Sequence, residues 1–151
     1  MKNNNLTYMK EAINLAKTAF INGEVPIGAV VVYKDKIIGR GYNLRESTNN
    51  SLAHAEIIAI NEANNYLHSW RLGDCKLFVT IEPCLMCGGA IINSRISEVF
   101  FGAKNNKFGA VSSLYQILSD KRLNHQVNVH EGLCEEEAKT LMKLFFSKKR
   151  K

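Results

Sequence analysis

A chain of 151 residues is long enough to bury a core without staples. Its apolar and charged shares, 46% and 23%, are those of an ordinary globular protein and exclude a disordered or fibrous one. Of the net charge of +6, Lys148, Lys149, Arg150 and Lys151 amount to four, so the body is mildly basic and charge alone establishes no nucleic-acid partner.

Met9, Ala12, Ile13, Ala16 and Phe20 fall at helical spacing and predict an amphipathic helix over 6–22, ended by Asn22 and Gly23. The valine-rich run 27–33 predicts a buried strand, and Lys34-Asp35 turns it into a second strand over 36–42. The polar stretch 43–51 reads as a loop. A helix is expected over 53–65, with Ile57, Ile60 and Ala63 toward the core, and a strand over 76–81. Pro83 then opens a helix to about 94, in the first turn, where its missing N–H costs nothing. A strand over 98–102, a short helical segment over 113–119 and a strand over 127–130 follow. The closing helix, 135–146, places Ala138, Leu141, Met142 and Phe145 on one face. A hairpin followed by strand–helix–strand units predicts a three-layer α/β/α fold, with 1–151 a single domain and 148–151 a basic tail. No apolar run reaches the roughly 18–20 residues of a membrane span. The N-terminal lysine is followed by no apolar stretch, so a cytoplasmic chain is expected.

A reducing compartment disfavours disulfides, so Cys75 and Cys134 are expected to be small apolar residues. Cys84 and Cys87, three apart at a helix start, lie on one helical face. The positive end of that helix favours their thiolates. With His54 they make one nitrogen and two sulfur ligands, a set that suits zinc. Three protein ligands leave a tetrahedral position open, the mark of a catalytic site. Glu56 lies two residues from His54 and is the candidate proton carrier. Two residues along a regular helix point to nearly opposite sides, so this pair shares a site only at a helix entry. A thioredoxin-like redox pair would leave His54 and Glu56 without a role. A structural zinc site would need a fourth ligand from His68, His125, His130, Cys75 or Cys134, none of which has ligand spacing.

His54-Ala55-Glu56 followed by Pro83-Cys84-Leu85-Met86-Cys87 resembles the signature of the zinc-dependent cytidine deaminase superfamily. Within it the chain is most similar to the bacterial tRNA-specific adenosine deaminases. The blocks Glu24-Val25-Pro26-Ile27-Gly28, Gly41-Tyr42-Asn43, Thr80-Ile81-Glu82, Asn93-Ser94-Arg95-Ile96 and Val99-Phe100-Phe101-Gly102-Ala103 carry that narrower likeness. The resemblance implies a five-stranded mixed sheet between helices, a homodimer, and one zinc per subunit held by His54, Cys84 and Cys87. It implies hydrolytic conversion of adenosine to inosine at the wobble position of an arginine tRNA anticodon. Glu56 would shuttle protons and Asn43 would hydrogen-bond the flipped base, although an Asn after a strand is otherwise a common turn residue. Unpaired anticodon-loop bases suit such a pocket.

After Ala103 the family commonly carries an Asp where this chain has Asn105, within Lys104-Asn105-Asn106-Lys107. Lys104 and Asn105 are expected near the sugar–phosphate path. The missing carboxylate implies weaker discrimination between RNA and single-stranded DNA; the alternative is a plain loop residue. The zinc motif alone leaves open a deaminase of a free base or nucleotide such as guanine or deoxycytidylate. A non-catalytic zinc-containing partner subunit could dispense with Glu56, which is present here.

Overall fold

The structure is a computed structural model that describes residues 4–149. Its elements run α1 (Asn5–Ile21), β1 (Gly28–Tyr33), β2 (Lys36–Tyr42), α2 (Arg45–Thr48), α3 (Ala55–Leu67), β3 (Cys75–Ile81), α4 (Leu85–Ser94), β4 (Glu98–Ala103), a 3₁₀ turn (Ile117–Ser119), β5 (Asn128–Glu131) and α5 (Glu135–Lys149). The sheet order is β2-β1-β3-β4-β5. β1 pairs antiparallel with β2 and β3, whereas β3–β4 and β4–β5 are parallel, so the sheet is mixed.

Strand periodicity of two sorts the core into the expected layers. Val31, Leu77, Val79, Val99 and Phe101 face α3 and α4. Val30, Val32, Phe78 and Phe100 face the α1 side, where Tyr8, Met9 and Ala12 meet them. Ala138 of α5 joins Ile13, Ile81 and Ala103 on that same side. The crossovers β2–α3–β3 and β3–α4–β4 both step in one direction across the sheet. Right-handed crossovers stepping the same way land on the same face, so α3 and α4 lie side by side. Their N-termini emerge together, at the carboxyl ends of the parallel strands, where open α/β sheets receive ligands.

Close approach fixes α3 on β2. A Cβ on Gly39 would sit 2.2 Å from the Ala59 carbonyl oxygen, and one on Gly41 would sit 2.3 Å from that of Ala55. The helix therefore rests on bare backbone. This corrects the expected core face of α3. Ala55, Ala59, Ile60 and Ala63 are buried while Ile57 is only half-buried, because contact this close selects alanine.

Four further expectations change. The 43–51 loop contains α2, which depends on a distant carboxylate described below. Pro83 is not in the first turn of α4: Cys84 is the N-cap, in extended conformation, and Pro83 precedes it. The helical segment at 113–119 shrinks to the 3₁₀ turn. α5 extends to Lys149 rather than ending near 146, so Lys148 is helical, with its exposed ammonium 5.3 Å from the Phe20 ring centroid. Arg150 and Lys151 of the basic tail lie outside the described residues. Cys75 is fully buried in the core, and Cys134 packs half-buried between α1 and α5. Among the described residues no helix is long and apolar enough to cross a membrane.

Candidate active site

His54 is the N-cap of α3, with φ −83° and ψ 152°, and Cys84 is the N-cap of α4. Each imposes extended backbone before its helix, so its side chain leaves the helix axis and points to the gap between the two N-termini. Cys87, in the first turn of α4, is fully buried beneath them. The His54 Nδ1 lies 3.7 Å from the Cys84 Sγ and 3.5 Å from the Cys87 Sγ. All three donor atoms fall within 4.8 Å of one another.

These distances test the metal reading. Tetrahedral bonds of about 2.3 Å to sulfur and about 2.0–2.1 Å to nitrogen place the nitrogen about 3.5 Å from each sulfur. The observed separations match. The donor set, one imidazole and two thiols at two helix N-termini, fits zinc by chemistry as well. Without a metal the three groups share protons. The Cys87 thiol holds Cys84 down to about 4 against the effect of burial, with His54 contributing. Cys87 is pushed up by its bond to Cys84 and by burial. The contact with Cys84 raises His54 despite its burial. A cation replaces those shared protons, which is how metal binding releases them.

Glu56, second in α3, is 4% exposed. A helix entry therefore reconciles the two-residue spacing: His54 stands before the helix and Glu56 inside its first turn. Burial pushes the Glu56 carboxyl up to about 7; the Cys84 thiolate adds to this, while its own backbone N–H, His54 and a bond with Cys87 oppose it. A dication beside it would pull that value down. A carboxyl poised near neutrality both accepts and returns a proton.

Asn43 is 6% exposed and directly follows β2. Its N–H donates to the Ile27 carbonyl at 3.2 Å, and its Oδ1 accepts the Arg45 N–H at 3.1 Å. The turn role is thus present, and the amide nitrogen supplies the remaining donors. Asn105 is half-buried: its Oδ1 accepts the N–H groups of Lys107 and Phe108, both at 3.2 Å, and so shapes a turn. Lys104 is half exposed and pairs with Glu131 at 3.5 Å. His54, Glu56, Cys84 and Cys87 form one cluster, whereas Lys104 and Asn105 stand on the loop after β4.

Sequence reasoning assigned no role to two buried carboxylates. Glu24 accepts the Glu46 N–H at 3.1 Å, the Ser47 N–H at 2.6 Å and the Ser47 hydroxyl, and so caps α2. Glu82 accepts N–H groups from Asn105 (3.0 Å), Val111 (3.0 Å), Ser112 (2.6 Å) and Ser113 (2.8 Å), and the Ser113 hydroxyl. The one available signal was a carboxylate at the end of an apolar strand, Glu82 after Thr80-Ile81.

Comparison with known proteins returns deaminases, among them a guanine deaminase structure from Bacillus subtilis that superposes with TM-score 0.66 at 36% identity, covering 72% of each chain. The MafB19-like deaminase family matches residues 3–150. A tRNA-specific adenosine deaminase of Streptococcus pyogenes serotype M1 is 52% identical over 139 residues, 92% of this chain and 81% of that protein. The tRNA-specific adenosine deaminase of Bacillus subtilis is 49% identical over 144 residues, 95% of this chain and 89% of that one. A solved structure from a study of A-to-I editing by tRNA:A34 deaminases superposes with TM-score 0.86 at 38% identity, covering 89% of this chain and 98% of the other.

Proposed function

The chain belongs to the MafB19-like deaminases and, among them, to the tRNA-specific adenosine deaminases, and on that premise we propose that it hydrolyses adenosine to inosine and ammonia at the wobble position of a tRNA anticodon. The observation that carries the chemistry is the convergence of His54, Cys84 and Cys87 with the buried Glu56 at two helix N-termini. The substrate rests on near-full-length similarity to tRNA deaminases. Deamination of a free base or nucleotide, guanine or deoxycytidylate, is the alternative outcome of the test.

His54 through Nδ1, Cys84 and Cys87 would hold one zinc. Zinc bound there supplies the acidification of water that hydrolysis at neutral pH requires. Glu56 takes one proton of the attacking water and delivers it to the adenine ring nitrogen beside C6; it then takes the second proton from the hydroxyl now on C6 and passes it to the amine, which leaves as ammonia. Its burial keeps that proton from bulk solvent. Asn43, fixed through its Oδ1, offers its amide N–H groups to the base. Lys104 and the half-exposed Arg45 supply positive charge for the phosphates at the rim. An arginine tRNA is the proposed substrate, in the cytoplasm. The chain is proposed to act as a single domain and a homodimer.

Zinc content and inosine formation on an anticodon stem-loop test this reading. One zinc per chain and inosine formation that a chelator abolishes and added zinc restores are expected. His54→Ala and Cys87→Ala should lose the metal; Glu56→Gln should keep it and lose turnover. Full activity in chelated, zinc-free protein would contradict the assignment.

A further inference from the structure

Two carboxylates that the deamination chemistry does not use are buried in the protein: Glu24 is wholly inaccessible and Glu82 is 2% exposed. Each is answered chiefly by N–H and O–H groups of one loop. Glu24 gathers Glu46 and Ser47, in the loop that begins with Asn43. Glu82 gathers Asn105, Val111, Ser112 and Ser113, in the loop that begins with Lys104. Both acids are themselves pinned to the scaffold, the Glu24 N–H to the Ala19 carbonyl at 2.9 Å and the Glu82 N–H to that of Ala103 at 2.8 Å.

Both loops reach the metal-ligand cluster. The Leu44 N–H donates to the Ala53 carbonyl, one residue from His54, and the Ala110 N–H donates to the Pro83 carbonyl, one residue from Cys84. The second loop closes so tightly on its anchor that a Cβ on Gly109 would lie 2.3–2.5 Å from the Glu82 carboxyl atoms. Several N–H groups converging on one acceptor fix the backbone of the residues that carry them, which apolar packing alone would not do. The anchored segments carry Asn43 and Arg45 in one case, and Asn105 and the exposed Phe108 in the other.

We propose that Glu24 and Glu82 are positioning residues, each holding one of the two loops that frame the metal-ligand cluster in its substrate-receiving shape, so that they govern capture of the RNA nucleotide. The proposal rests on the tRNA reading for its substrate. The loop anchoring itself is tested independently.

Glu24→Gln and Glu82→Gln keep side-chain size but turn an amide N–H2 toward loop donors. Zinc per chain, kcat and KM on the anticodon stem-loop, and amide hydrogen exchange are measured for both. With zinc retained, KM should rise about 10-fold or more while kcat stays within about 3-fold of the wild type. Exchange should accelerate at 105–113 in Glu82→Gln and at 44–48 in Glu24→Gln, each without change in the other loop. Should a Gln variant fail to fold, Ser47→Ala and Ser113→Ala, which delete one hydroxyl donor each, carry the test with a KM increase of about 3-fold. Wild-type KM and wild-type loop exchange in the variants would overturn the proposal even if their melting temperatures fell. So would a loss confined to kcat. If the wild type does not turn over the stem-loop, the substrate reading fails, and the exchange data still decide whether these acids hold the loops.

Discussion

Gly41→Ala tests how α3 is seated. The added Cβ would lie 2.3 Å from the Ala55 oxygen, 2.8 Å from the Ala59 nitrogen and 3.0 Å from the Ile58 Cβ. A tolerable carbon–oxygen contact is about 3.3 Å, so the helix must retreat by about 1 Å. The obstacles are backbone atoms, which places the cost near the upper end of overpacking, about 3 kcal/mol. For a chain of this length that lowers the melting temperature by about 6–12 °C. The same retreat carries His54 and Glu56 with it, since both sit at the start of α3. Metal ligands tolerate displacements of only about 0.2 Å, and a misplacement of about 1 Å costs a reaction about 100-fold. Melting of the zinc-loaded protein, zinc per chain after gel filtration, and turnover are the readouts. Gly89→Ala is the control: its Cβ meets nothing within 4 Å, and in a helix interior it should gain about 1 kcal/mol. A Gly41→Ala protein that melts with the wild type and keeps its zinc would refute the close-approach argument.

Cysteine labelling should follow burial and the metal. In chelated protein iodoacetamide should modify Cys84 first, because Cys87 and His54 hold it at about 4; the fully buried Cys87, raised by its bond to Cys84 and by burial, and Cys75, which burial pushes to about 11, should react last. Zinc should protect Cys84; equal labelling with and without zinc would remove it from the ligand set. Acid stability should depend on Glu24. Burial raises its carboxyl, but the Ser47 hydroxyl, the N–H groups of Ser47 and Glu46, and Arg45 together hold it below the ordinary 4.5. A depressed folded value contributes stability above the unfolded pKa that is lost as pH falls through the folded one. Urea midpoints should therefore fall on acidification more steeply in the wild type than in Glu24→Gln; parallel profiles would show that the carboxylate is not what holds α2.

The layers were legible because periodicity of two and of 3.6 survives in the apolar pattern: the strands alternate Val30 and Val31, Phe100 and Phe101, between the two sides of the sheet. The meeting of His54, Cys84 and Cys87 is legible because their spacing admits few other uses. What a linear pattern does not carry is where a polar side chain finds its partner. Glu24 and Glu82 look like surface residues until Ser47 and Ser113, remote in sequence, close on them. For the same reason the sequence of α2 reads as loop, since its cap lies 22 residues away from Glu46. Hydrophobicity ranks side chains by size and so favours Ile57 over Ala55 and Ala59 as core, whereas Gly39 and Gly41 leave room only for small ones. Asn105, expected near the sugar–phosphate path, uses its carbonyl on its own turn, a geometry that Asp would reproduce. Deamination of matched RNA and DNA hairpins by the wild type and Asn105→Asp decides its role: an unchanged RNA-to-DNA ratio assigns it to the turn alone.

The most direct measurement is inosine at the wobble position of an anticodon stem-loop, made by purified zinc-loaded protein, with free adenosine, guanine and deoxycytidylate assayed alongside. The account predicts inosine in the stem-loop, none of the three small molecules turned over, and no product from a zinc-loaded Glu56→Gln variant. Turnover of guanine or deoxycytidylate with the stem-loop untouched would keep the fold and the His54–Cys84–Cys87 cluster and contradict the substrate.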